Sequence, residues 1–367
     1  MSIPIHVPPL RARQIFLLSG VAALLPLIGG AQTRDNPPVL ETVELSPFEI
    51  SAEKDDGYAA TNSLSGTKIA TPLRDLPLSM EIVTEDFIED IAAFDFVETL
   101  QYSTAASIDE TSGVSATVRG FSSTFNFRNG FRYYARRDSA NIQRVEVVKG
   151  PAALLYGNVQ PGGVVNVLTK RPTNRNTLRV NASATSFGGE RVTLDLNRKV
   201  SSKVSARLNA AYSVNPTYRD FTDSTFKLIA PVISWKPTSR TTVLLDFEIA
   251  RVTQQAPSML NQARNNVPIY ASVEEGGLGI PTTVNWRGPD GELEDNVNNY
   301  FGVVEHTFSD ELSLRLGFNI HDRVTYPFRP EAFSLVNAPA NNPSGVPAGT
   351  LSQRYNWQRN EFDNFLQ

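Results

Sequence analysis

The 367-residue sequence contains no cysteine, which excludes a disulfide framework and a thiolate metal site. Histidine is almost as scarce, with only His6, His306 and His321, scattered along the chain. His306 and His321 could meet across strands, but a surface or loop-end position is the ordinary reading, and no metal site is expected. No HExxH, GxSxG or Walker loop occurs, and Gly66-Thr67-Lys68 lacks the upstream glycine of a phosphate cradle. No catalytic residue stands out, and an enzyme is not expected. A basic excess is missing too: the formal net charge of −4 argues against a nucleic-acid partner. The charge-dense places Glu53–Asp56, Arg136-Arg137-Asp138 and Glu274-Glu275 read most simply as solvated. Finally, there is no long hydrophobic run. The apolar stretch from Ile15 to Ile28 is interrupted by Pro26 and is shorter than the roughly 20 residues of a spanning helix.

What is present begins at the N-terminus. Arg11 and Arg13 precede that stretch, and Gly29-Gly30-Ala31 follows it. A basic flank, a short apolar core and small residues make residues 1–31 a secretory signal peptide, cleaved after Ala31. Residues 32–64 are rich in Pro, Asp, Glu and Ser and read as an extended linker. Within them Glu41-Thr42-Val43-Glu44-Leu45-Ser46-Pro47-Phe48 alternates apolar and polar, the spacing of a lone strand that needs an edge to pair with. Residues 65–172 read as a compact α+β domain. Thr84 caps a helix carrying Phe87, Ile88 and Ile91, a second short helix covers Val97 to Tyr102, and strands cover Val114 to Arg119, Arg144 to Val148 and Val165 to Thr169.

Beyond Pro172, over 173–367, the texture changes. Val192, Leu194 and Leu196 alternate with Thr193, Asp195 and Asn197, Leu208, Ala210 and Tyr212 with Arg207, Asn209 and Ser213, and Leu314, Leu316 and Phe318 with Ser313 and Arg315. Weaker versions cover 177–187, 224–236, 240–252 and 297–308, for about eight strands of about ten residues. Such alternation suits a soluble sandwich as well. Large charged groups on the polar face favour a membrane barrel, as do short turns (Gly188-Gly189, Ser201-Ser202, Ser309-Asp310) alternating with long loops (215–223, 253–296, 324–350). The fold class expected is an α+β domain followed by an antiparallel transmembrane β-barrel, partial and unclosed.

The run Arg144-Val145-Glu146-Val147-Val148-Lys149-Gly150-Pro151, with Tyr156-Gly157, Pro161-Gly162-Gly163 and Lys170-Arg171-Pro172, resembles the plug signature of TonB-dependent outer-membrane receptors. Val118-Arg119-Gly120-Phe121 and Asn129-Gly130 extend it. The resemblance covers 65–172 closely, extends to the whole chain in architecture, and is greatest to the ferric-siderophore, ferrichrome-like branch.

That resemblance implies active import across the outer membrane of a Gram-negative-type bacterium. The ligand would be a ferric siderophore, with iron held by the siderophore and no cofactor of the protein's own. Glu41 to Phe48 would be the Ton box, captured as an added strand by TonB of the inner-membrane energising complex. Arg119, Glu146 and Lys149 would belong to the lock between plug and barrel, although Lys149 stands where arginine is usual and loses the bidentate geometry. Ligand contacts are expected from the plug apices at Thr124, Phe125, Asn126, Phe127, Tyr133, Tyr134, Arg136 and Arg137, whose aromatic and cationic groups suit an anionic chelate. Cobalamin, a glycan or another metal chelate would use the same machine, and outer-membrane lipid would surround it. A passive porin or adhesin is a remoter alternative that leaves the plug unexplained. Eight strands enclose room only for their own side chains, whereas plugged transporters have about 22. The chain is therefore expected to be a C-terminally incomplete part of a longer receptor.

Overall fold

The structure, a computed structural model, describes residues 57–63, 71–108, 114, 116–123, 126–151, 156–157, 159–255, 268, 271–285, 292–309, 311–335, 351–357 and 360–364. The signal peptide, the Ton box Glu41 to Phe48, Thr124 and Phe125 lie outside the described residues.

The first domain begins with β1 (Asn62–Ser63) paired to β2 (Thr71–Pro72). It continues through β3 (Ser79–Thr84), α1 (Glu85–Asp90), α2 (Phe96–Thr99) and a three-stranded meander of β4 (Ala106–Ile108), β5 (Ala116–Val118) and β6 (Phe121–Ser123). The hairpin β7 (Asn126–Arg128) and β8 (Phe131–Tyr133) follows, then β9 (Ile142–Lys149) and β10 (Gly163–Thr169). A five-stranded sheet runs β3-β9-β10-β7-β8, with β7 parallel to β10 and the other pairs antiparallel. Thr84 caps α1 by accepting from the Phe87 amide at 3.3 Å, and Glu85 and Asp86 face the positive end of the helix. Asp95 caps α2 in the same way, accepting from Glu98 at 3.0 Å.

Both two-residue hairpin turns take positive φ at each central residue, Arg119-Gly120 at 52° and 85° and Asn129-Gly130 at 51° and 87°. These are the dihedral signs of a type I′ turn, which matches strand twist and favours glycine second. One face of the sheet buries Val145, Val147, Val165 and Val167 against Phe96 and Leu100; the other packs Val148 and Val164 on Phe127 and Tyr156.

The second sheet is a consecutive antiparallel meander: β11 (Thr177–Ala184), β12 (Glu190–Lys199), β13 (Val204–Pro216), β14 (Asp223–Thr238), β15 (Thr241–Gln255), β16 (Glu292–Ser309), β17 (Leu312–Leu335) and β18 (Leu351–Trp357). β19 (Asn360–Asn364) pairs with β17 as well, and the sheet is not closed. Its outward face exposes Val192, Ile229, Ile233, Ile249, Leu316 and Ile320, bordered by Trp235 and Phe308 toward one end and Tyr212 toward the other. Inward positions Arg191, Asp195, Asn209, Asp246 and Glu248 are buried although polar. Apolar outside and polar inside is the pattern of a membrane barrel.

Two details depart from the expectation. β16 has 18 residues and β17 has 24, well beyond ten. Pairing continues past the apolar stripe, because outward residues beyond the bilayer, such as Asp322 opposite Asn298, need not be apolar. Strand direction also moves Gly188-Gly189 to the same end of the sheet as 217–222, opposite the turns at 200–203 and 239–240.

Candidate functional site

The first domain sits against the inward face of β11–β17 and is tied to it by side chains the fold brings together. Asp246 and Glu248 occupy alternate positions of β15 and so point to the same side. Arg128, at the end of β7, places its Nη2 2.9 Å from Asp246 and 3.3 Å from Glu248, with all three buried. Asn129 donates to Thr169 at 2.8 Å and to Asp246 at 3.3 Å, and Thr169 donates to Asp246 at 2.8 Å. Glu248 also accepts from Tyr133 at 2.7 Å and Asn141 at 2.9 Å. Burial opposes the charge on Arg128, yet Asp246 and Glu248 overcome it and hold its pKa above the ordinary arginine value. Burial, reinforced by Glu248, pushes the Tyr133 phenol well above its usual range, so it stays a donor. Removing either carboxylate would strand a buried cation, the costly way to break such a hub.

On the β11–β12 side the contacts are ionic and beside open space. Lys170 reaches Glu85 at 2.9 Å and Asp195 at 3.5 Å, and Arg207 grips Asp195 with two bonds of 2.8 and 2.6 Å. Arg191 forks onto Asp138 with two bonds of 2.6 Å. Arg179 approaches Glu89 at 3.4 Å. A cavity of about 380 Å³ separates α1 from β11 and β12 there.

On the β13–β16 side apolar packing surrounds the Arg128 hub. Tyr133 and Ala135 pack on Ala211, Leu228, Ala230, Ala250 and Val297, and Phe131 packs among Val232, Leu244, Phe301 and Val303. His321 of β17 stacks on Tyr133 with ring centroids 4.5 Å apart, its Nε2 being 3.4 Å from the Tyr134 carbonyl.

The residues singled out from the sequence land as follows. Asn126, Phe127, Tyr133 and Arg137 are buried, which corrects their reading as ligand contacts. β7 lies inside the five-stranded sheet, where Phe127 stacks on Tyr156 at 4.6 Å and Asn126 donates to the Val114 carbonyl. The Arg137 guanidinium lies 4.2 Å over the Tyr133 ring and 4.9 Å over Phe96. Burial lowers its pKa to about 10 against the opposing pull of Tyr133 and Glu248. Arg137 and Asp138 are therefore not solvated charges. Tyr134 and Arg136 keep partial exposure, and Arg323 of β17 stacks 4.7 Å over Tyr134.

Lys149 pairs with Glu81 at 3.2 Å and Glu146 with Arg144 at 3.0 Å, both within the first domain, while Arg119 is exposed at its turn. Burial would raise the Glu81 carboxyl, but hydrogen bonds to Ser103 and Thr104, together with Lys149, hold it below its ordinary value. Among the described residues the ion pairs to the second sheet come instead from Arg128, Lys170, Asp138, Glu85 and Glu89. Charged inward positions on alternating strands were the available signal; their partners were not.

The glycine signature is a packing requirement. A side chain on Gly162 would strike the Val118 carbonyl and one on Gly163 the Val148 carbonyl. Gly150 and Gly157 take positive φ at 96° and 73°, on either side of Pro151 and Tyr156. Among the described residues no group of three or more His, Cys, Asp or Glu converges to hold a metal ion.

Comparison with known proteins fits this geometry. The family model of the TonB-dependent Receptor Plug Domain matches residues 72–164. The Metal-pseudopaline receptor CntO of Pseudomonas aeruginosa is 30% identical over 294 residues, covering 77% of this chain and 40% of the relative. The ferrichrome outer membrane transporter/phage receptor of Escherichia coli is 26% identical over 328 residues, covering 83% and 43%. Among solved structures, the ferripyoverdine receptor of Pseudomonas aeruginosa bound to ferripyoverdine superposes with a TM-score of 0.70 at 17% identity, covering 86% of this chain and 41% of that one. The open form of the ferric-catecholate import receptor Fiu of Escherichia coli gives 0.68 at 19%, covering 84% and 47%. The chain thus spans less than half the length of these relatives.

Proposed function

Because this chain belongs to the TonB-dependent receptor family, an outer-membrane family of receptors and not of enzymes, we propose that it imports a metal chelate, in the first instance a ferric siderophore. The observation that carries the reading is the buried hub of Arg128, Asp246 and Glu248, which ties the plug to the inward face of a sheet whose outward face is apolar. A tied plug closes a barrel at rest and needs work to move.

TonB supplies that work by adding the Ton box, Glu41 to Phe48, as a strand. Ligand binding shifts the resting equilibrium toward release of that segment. Tyr134 and Arg136, with Arg323 beside them, are the ligand contacts, since they combine a ring and cations with partial exposure. Iron arrives within the chelate, and the protein holds no cofactor of its own. Arg119 and Lys149 remain lock residues in this reading, Lys149 resting on Glu81 in the closed plug.

A second reading, a chelate of another metal, is favoured by the similarity to a metal-pseudopaline receptor. Growth of a deletion strain on single chelates, with and without the gene restored, tests both readings. Rescue confined to ferric chelates selects the first, and rescue only by chelates of a divalent metal other than iron the second. Rescue independent of TonB, or unaffected by Leu45→Pro, which removes a main-chain donor from the added strand, would refute the coupling.

A further inference from the structure

We propose that the solute's path opens on one side of the plug only, between α1 and β11–β12, while the β8 side stays seated on β13–β16. The proposal rests on the transport reading above and adds where the route lies.

Three observations converge. The cavity of about 380 Å³ lies on this side, lined among others by Glu85, Glu89, Lys170, Arg179, Arg191 and Asp195. The inward residues Arg179, Asn181 and Ser183 of β11, the edge strand of the sheet, are exposed, and Arg179 meets the plug through its ion pairs with Glu85 and Glu89 across the cavity. By contrast, inward Leu228, Ala230 and Val232 of β14, Ala250 of β15, and Val297 and Phe301 of β16 are at most 3% exposed.

The energetics of the two walls differ in kind. Separating the β8 side uncovers apolar surface at about 25 cal/mol per Å², with nothing in water to replace the lost contact. Separating the α1 side parts ion pairs that border open space, so their charges can pass to water as they part. The largely exposed Arg179–Glu89 pair costs almost nothing to break, while Arg191–Asp138 and Lys170–Glu85 are more buried and hold the closure. Arg191 with Asp138 closes the cavity toward the loop end of β12, and Lys170 with Glu85 and Asp195 closes it toward the turn end. Their mixed charge suits a hydrophilic chelate carrying groups of both signs and offers no deep single-sign trap. Opening therefore means parting two ionic closures around a space that already exists.

The 367 residues contribute no cysteine of their own to the test. Glu89→Cys with Arg179→Cys replaces an existing 3.4 Å pair across the cavity; Phe131→Cys with Phe301→Cys replaces rings 5.6 Å apart on the apolar side. Each double variant, in the full-length protein in cells, is joined by a short reducible bis-thiosulfonate linker. Uptake of labelled iron is then followed, with iron supplied as a tris-hydroxamate and as a tris-catecholate chelate. Linking 89 to 179 is expected to reduce uptake roughly tenfold or more, with surface binding kept and uptake restored by reductant, while linking 131 to 301 leaves uptake within about twofold of its reduced form. Block by both links would mean that the plug leaves both walls, and block by neither or only by the second would place the route elsewhere; each overturns the proposal. If a reduced double variant fails to fold, Ser183→Cys with Ala92→Cys and Ala135→Cys with Ala250→Cys carry the same comparison. TonB-independent uptake by the unsubstituted protein would sink the transport reading itself.

Discussion

Where β14–β16 meet the plug, alanine, valine, leucine and phenylalanine surround the inward Asp246 and Glu248; where β11 and β12 meet it, the inward positions are arginine, aspartate, asparagine, serine and threonine. The outward faces of the same strands are alike, with Val180, Val192, Ile229 and Ile249 all exposed. The outward face is therefore uniformly apolar, while the plug sets the inward face strand by strand. A lumen-facing residue is apolar where a plug side chain covers it and polar where water or an ion pair does. The hub of Arg128 with Asp246 and Glu248 of β15 lies within the apolar wall, and its charges are tolerated because each is answered.

Breaking the hub should have the largest effect. Glu248→Leu removes the acceptor of Tyr133 and Asn141 and one partner of Arg128, and is expected to cost about 3–5 kcal/mol in chemical denaturation of the refolded protein. An equal cost for Glu89→Leu, at the polar wall, would erase the contrast between the walls. Phe301→Ala, on the apolar wall, should cost about 3 kcal/mol by leaving a cavity under Phe131.

Arg137 sharpens the comparison because it is a cation at the apolar wall, stacked on rings with no hydrogen-bond partner at its guanidinium among the described residues. Arg137→Met should be neutral or stabilising by about 1–2 kcal/mol at pH 7. The folded pKa of about 10 lies below the unfolded arginine value, so the unfolded chain binds the extra proton between them. The parent's handicap is full below pH 10 and shrinks as pH rises above it, so denaturation at pH 9 and pH 11 should show the gap narrowing. A gap that widened would reverse the assignment. The smallest effect belongs to Arg179→Ala, whose side chain is 57% exposed; a melting curve should show a loss below about 1 kcal/mol.

Much of this was readable in advance because its physics is local. Alternation along β12, β13 and β17 followed from the need of each strand to offer lipid an apolar face, and the structure turns Val192, Tyr212 and Leu316 outward. Thr84 as a cap and Asn129-Gly130 as a turn depend on neighbours in sequence and were likewise legible. The ligand assignment failed for Phe127, Tyr133 and Arg137 because the same residue types serve a binding loop and a packed interior.

What the sequence determined by itself is the order of parts: a plug carrying its glycine signature, then strands with one apolar face, each encoded in a few consecutive residues. What only the tertiary structure decided is which charge answers which. Arg128 and Asp246 stand 118 positions apart, Asp138 and Arg191 stand 53 apart, and Lys149 turns to Glu81 within its own sheet. An ion pair needs only proximity and opposite sign, and nothing in residue type or local spacing selects among a chain's many carboxylates. That choice follows from the register of the strands and from which wall the plug lies against.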